Sequence, residues 1–75
     1  MTPAKQSDLK IGREIVIQIT GAKMRHKIRG RLTEAEMRKL KVTRYPKEET
    51  EQEYQDYKNV IKYYVKMGFV YLESL

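Results

Sequence analysis

The sequence predicts an α+β domain in which one long helix covers a β-hairpin, and three features of the chain predict it. Residues 13–32 alternate with period two, Thr33-Glu34-Ala35-Glu36 has the form of a helix start, and residues 47–67 carry apolar side chains at three- and four-residue spacing. A chain of 75 residues makes a single domain. At that size only about 60% of the surface of the unfolded chain is buried on folding, so helix-on-sheet packing or oligomerisation has to supply the stability. Residues 1–10 read as a flexible polar lead-in and residues 11–75 as the domain.

The hairpin is expected at about 13–20 and 23–32. Ile15, Ile17 and Ile19 fall on one side of the first strand, with Glu14, Val16, Gln18 and Thr20 on the other. Gly21-Ala22 offers a two-residue turn with glycine first, as a type II′ turn prefers. That turn pairs Ile19 with Met24, Ile17 with His26 and Ile15 with Ile28 on one face. It pairs Thr20 with Lys23, Gln18 with Arg25, Val16 with Lys27 and Glu14 with Arg29 on the other. Gly30, opposite Arg13, is the expected place of a bulge.

The capping-box motif at Thr33 starts a short helix, 34–41, holding Met37 and Leu40; a strand over 39–45 is the competing reading. The long helix is expected at 47–67. Glu48, Glu49 and Glu51 sit in its first turns and Lys62 and Lys66 in its last, matching the helix dipole. Tyr54, Tyr57, Val60, Ile61, Tyr64 and Met67 form its apolar stripe, and Gly68 suits its C-terminal cap. A final strand over 69–73 is placed to add to the hairpin's edge.

Charge is uneven along the chain. The net charge is +6, yet residues 21–44 hold nine basic side chains against Glu34 and Glu36, and residues 45–75 are net acidic. A basic patch is therefore expected, and its natural partner is nucleic acid. Lys23, Arg25, Lys27, Arg29 and Arg31 alternate along one strand and project to one side about 6–7 Å apart. Gln18 lies on the same face, where it would read a base edge. Arg38, Lys39, Lys41 and Arg44 make a second cluster suited to flanking phosphates. On this reading, replacing Arg29 and Arg31 with Glu abolishes binding and leaves the fold intact.

Other chemistry finds little support. Cysteine is absent and His26 is the single histidine, so no thiolate or zinc site is expected, and no cofactor or catalytic group. Glu48, Glu49, Glu51, Glu53 and Asp56 read as a solvated helix start before they read as a Mg²⁺ site. The tyrosines of the long helix read as core, with Tyr45 and Tyr63 left as candidate contacts. No stretch has the roughly 20 apolar residues of a membrane span. The lack of cysteine fits the cytoplasm, including that of a host cell if the protein is viral.

Two resemblances point the same way. Lys27-Ile28-Arg29-Gly30-Arg31-Leu32-Thr33-Glu34-Ala35-Glu36, followed by Met37, Leu40 and a second helix, resembles ribbon-helix-helix repressors; that likeness implies a dimer whose basic strand enters the major groove. Ile11-Gly12-Arg13-Glu14-Ile15-Val16-Ile17-Gln18-Ile19 with Gly30-Arg31-Leu32 looks like the opening strands of Sm-like or SH3-like small barrels, which implies RNA or DNA binding. Gly30 departs from the repressor pattern, and the long helix stands where a barrel needs further strands. The expectation from the sequence is a non-catalytic nucleic-acid-binding protein, a small DNA-binding or transcription-regulating factor, with double-stranded DNA ahead of RNA. The alternative is an interaction module or inhibitor that docks on an acidic or nucleic-acid-binding protein; a homodimer is compatible with either.

Overall fold

Alternating isoleucines and a tyrosine-rich helix stripe meet in one core. In the computed structural model, which describes residues 2–73, the order is β1 (Thr2–Pro3), a 3-10 turn (Gln6–Asp8), β2 (Glu14–Ile19), β3 (Ala22–Lys27), α1 (Glu34–Lys39), α2 (Glu51–Lys66) and β4 (Val70–Leu72). Met1 of the expected lead-in and Ser74 and Leu75 of the expected domain lie outside the described residues. The strands form one antiparallel sheet in the order β1-β4-β2-β3. Ile15, Ile17, Ile28, Ile61, Val70 and Ala4 make the buried core, with Tyr57, Tyr64 and Leu72 packed around it. The sheet has α2 on this face; the other carries Glu14, Val16, Gln18, Lys23, Arg25, Lys27 and Tyr71.

The hairpin closes one residue earlier than the sequence suggested. Thr20 and Gly21 form the turn, with φ +25° and +76°. Positive φ at both central residues is the type I′ geometry, whose twist matches that of the strands. Ile19 therefore opposes Ala22, Ile17 opposes Met24, and Ile15 opposes His26. Partners slip by two positions, so the side-chain faces are kept. The inward-pointing backbone groups, by contrast, change. The bulge lies at Gly12, not Gly30: Gly12 N–H donates to Ile28 C=O (2.7 Å) and Ile28 N–H donates to Arg13 C=O (2.9 Å). Two residues thus oppose one, with Gly12 at φ +92° as such a bulge requires.

Both helices are capped by their own sequence. Thr33 and Glu36 make the expected capping box, Glu36 N–H donating to the threonine hydroxyl (3.3 Å) and Thr33 N–H to the glutamate (3.0 Å). The helix reading of this region holds and the competing strand over 39–45 does not form. α2 begins at Glu51, not at 47, because Thr50 accepts from Glu53 N–H (3.2 Å) and sets the start. Residues 47–49 instead run beside α1's entry, where Glu34 N–H donates to Lys47 C=O and Glu49 N–H to Leu32 C=O. Val60 and Met67, expected on the buried stripe, are exposed. At the far end Gly68 (φ +79°) closes α2, and Phe69 N–H donates back to Tyr64 C=O (2.9 Å).

The N-terminal lead-in is part of the sheet. β1 pairs with β4, Thr2 against Leu72 and Pro3 against Tyr71, and Ala4 N–H donates to Val70 C=O (2.9 Å). Neither architectural resemblance survives this topology. The basic strand pairs within its own chain, and the sheet is open with β1 and β3 at its edges. Among the described residues, no helix is long and apolar enough to cross a membrane.

Candidate nucleic-acid interface

The five alternating cations divide at the end of β3. Lys23, Arg25 and Lys27 lie on the strand and on the face away from α2, whereas the strand stops at Lys27 and does not reach 32. The backbone turns off at the Ile28–Arg13 pairing, and Arg29 and Arg31 fold toward the segment before α2. Arg29 donates two hydrogen bonds to Glu49 (2.7 and 3.0 Å), and its guanidinium stacks 4.0 Å from the Tyr57 ring centre. Glu49, 6% exposed, also accepts the Leu32 N–H (3.1 Å). The Arg29 bonds hold its carboxyl below the ordinary carboxylate range, outweighing the opposite push of burial. Arg31 lies between Glu48 (3.8 Å) and Glu51 (3.4 Å).

The second cluster shows the same division. Arg38 pairs with Glu34 (2.6 Å) one helical turn away and covers the Tyr45 ring, while Arg44 pairs with Glu53 (3.1 Å). Lys39 and Lys41 are exposed and make no ion pair among the described residues. Lys41 occupies the left-handed position after α1 (φ +58°), where Val42 N–H donates to Met37 C=O and Lys41 N–H to Arg38 C=O. Glycine is the usual residue there. α1 is tied to the chain entering α2, by the Thr33–Glu48 bridge and the Glu34–Lys47 bond, which fixes where its lysines sit.

Five of six arginines are thus occupied within the chain. Arg25 completes the set, reaching Glu73 at 2.7 Å. By register Glu73 follows Tyr71 on β4, so the guanidinium crosses β2 and helps to cover Val16, 1% exposed between Arg25 and Tyr71. The exposed cations left without an ion pair at the hairpin are Lys23 and Lys27 on β3 and Arg13 at the bulge, with Gln18 directly opposite Lys23. β4 pairs with Ile15–Ile17 and Gln18 N–H still donates to Phe69 C=O (2.8 Å), so only the tip of the hairpin from Ile19 to Ala22, with Lys23 at its base, extends beyond that side. Tyr71 is the site residue that charge reading passed over.

His26 and Tyr57 are structural. His26 sits opposite Ile15 and is hydrogen-bonded through Nε2 to the Tyr57 hydroxyl, which also accepts the Arg29 N–H (3.4 Å). The tautomer of the imidazole sets which of the two groups donates. Burial, then the nearby Arg29 charge, lowers the His26 pKa, and burial raises that of Tyr57. A cleft of about 70 Å³, lined by Leu9, Ile11, Ile28, Tyr54, Tyr57 and Ile61 among others, lies beside this pair. That is far below the roughly 300–1,000 Å³ of a small-molecule site. The acidic run is spent on Arg29, Arg31 and Arg44, and no group of three His, Asp or Glu among the described residues is placed to hold a metal ion.

Comparison with protein-family models, curated proteins and solved structures finds no match.

Proposed function

We propose that the protein is a non-catalytic nucleic-acid-binding factor that grips phosphates with lysines, Lys23 and Lys27 on the hairpin and Lys39 and Lys41 at the end of α1. The observation that carries this reading is the division of labour among the cations: five of the six arginines are in ion pairs, whereas the lysines make none among the described residues, and these four are exposed within the basic third of the chain. Ammonium groups act as point charges and lack the planar fork that reads guanine, so the binding is expected to be largely sequence-blind. Duplex DNA stays ahead of RNA because the hairpin end projects. Four strands about 4.8 Å apart, backed by a helix, are too broad for a major groove about 12 Å wide. The two-stranded tip from Ile19 to Ala22, with Lys23 at its base, is narrow enough.

Four phosphate contacts imply an affinity loss of roughly 150-fold between about 50 and 200 mM salt. The test is fluorescence anisotropy with a random-sequence DNA duplex across that range, on the native chain and on K23A/K27A. The variant should lose about two contacts, which makes the salt-induced loss roughly tenfold. An unchanged salt dependence with the fold intact would overturn the hairpin assignment.

A further inference from the structure

The turn at Thr20-Gly21 decides which main-chain groups of β3 are free. In a two-residue hairpin the turn-flanking pair exchanges both backbone bonds, and bonded and non-bonded pairs then alternate. Ile19–Ala22, Ile17–Met24 and Ile15–His26 are consequently the bonded pairs. The N–H and C=O groups of Lys23, Arg25 and Lys27 point the other way. β3 is an edge of the sheet, and no bond from elsewhere among the described residues reaches those groups. They form a row spanning about 13 Å, the rise of four residues.

The side chains around that row are specific in sign and polarity. Lys23 and Lys27 stand at its two ends, unpaired, and Arg25 between them, its side chain 77% exposed, pairs with Glu73 across the sheet face. On the α2 side of the same strand Met24 is 58% exposed. An added antiparallel strand would thus meet two ammonium groups four residues apart on one face and a methionine with the His26 edge on the other. A second copy of β3 is a poor fit, since it would set basic residues opposite basic residues.

We propose that the β3 edge accepts an extended acidic segment of a partner protein by antiparallel strand addition. The segment carries carboxylates four residues apart, opposite Lys27 and Lys23, and apolar side chains opposite His26 and Met24. Main-chain bonds to Lys23, Arg25 and Lys27 supply the affinity, and the two carboxylates fix register and direction. This site is separate in kind from the phosphate-binding reading, because it needs the backbone of β3 as well as its charges.

The experiment uses the full-length, nitrogen-labelled protein and a capped peptide, Thr-Glu-Val-Thr-Val-Glu-Thr. On binding, amide exchange should slow at least about tenfold at Lys23, Arg25 and Lys27, while Met24 and His26, already bonded to β2, stay unchanged. A peptide with lysine at both glutamate positions should not bind. A peptide N-methylated at its two glutamates and central threonine should lose binding, as should the R25P protein, whose missing N–H makes no bond within the hairpin. Equal binding of the N-methylated peptide would show contact through charge alone and overturn strand addition without touching the phosphate-binding proposal. No binding of the parent peptide, or protection appearing elsewhere, would also overturn it.

Discussion

Replacing Glu49 with leucine should cost this protein a large part of its stability. The carboxylate is 6% exposed, receives both forks of the Arg29 guanidinium and caps the Leu32 N–H. Its loss leaves the guanidinium, 24% exposed, without a counter-charge and a main-chain donor without a partner. Breaking a buried pair on one side costs about 3–5 kcal/mol, and the lower end applies because Arg29 reaches some solvent. A domain of this length holds only about 4–11 kcal/mol in all. Urea unfolding followed by far-ultraviolet circular dichroism gives the measurement. With a slope near 1 kcal/mol per molar urea, the midpoint of E49L should fall by about 3 M, or the variant should be unfolded from the start. E49L/R29M should recover much of the loss by removing the orphaned charge. Arg38→Ala, which breaks the exposed pair with Glu34, should cost about 0.5 kcal/mol at most. A loss below about 1 kcal/mol in E49L would place the Arg29–Glu49 bridge among ordinary surface pairs and refute the reasoning.

Lys41→Gly should stabilise the fold by up to about 1 kcal/mol, because a lysine at φ +58° carries a penalty that glycine does not. The gain should appear as a rise of roughly 4–8 °C in Tm, and a fall would contradict the cap geometry. Stability should drop as pH falls below about 6.5, since the unfolded chain takes a proton on His26 that the folded chain resists. The loss is at most about 1.4 kcal/mol per pH unit, and unfolding curves near neutral and mildly acidic pH should show a smaller drop in H26N. An equal drop in that variant would remove His26 from the account. Native-state amide exchange of the free protein should be slow at Met24 and His26 and fast at Lys23, Arg25 and Lys27. The reverse alternation would restore a hairpin closed at Gly21-Ala22.

Features set by neighbours in sequence were legible, and features set by distant partners were not. The isoleucine face, the Thr33 capping box and the Gly68 cap follow from local spacing, and each stands in the structure. Thr50-Glu51-Gln52-Glu53 repeats the Thr33 signal and could have placed the start of α2; the acidic run drew the helix forward to Lys47 instead. The turn was misplaced because a glycine-first loop looks favourable locally, whereas a type I′ turn with threonine in the left-handed region pays in strain for a twist that joins β2 to both β3 and β4. Pairing of residues 2–3 with β4 leaves no trace in two polar-looking positions. The Arg29–Glu49 bridge spans twenty residues of chain, so counting charges could register its members but not their union.

That union changes what a charge-reversal experiment means. The sequence made Arg29 and Arg31 the obvious targets, with loss of binding expected in a folded protein. In the structure, R29E would set a carboxylate against buried Glu49 and remove the stack on Tyr57. Arg31 meanwhile holds Glu48 and Glu51 at the mouth of α2. Lost binding in such a variant would report lost structure. Guanidinium forks suit fixed, bidentate pairs, and here Arg29, Arg31 and Arg44 tie the segments on either side of α1 to the start of α2 and the residues just before it. Ammonium groups tolerate many geometries and remain hydrated when unpaired, which suits them to a ligand that comes and goes. Arginine substitutions therefore probe the fold and lysine substitutions probe the surface. Between phosphate binding and strand addition at the hairpin the peptide decides, because K23A/K27A weakens both while N-methylation of a peptide weakens one.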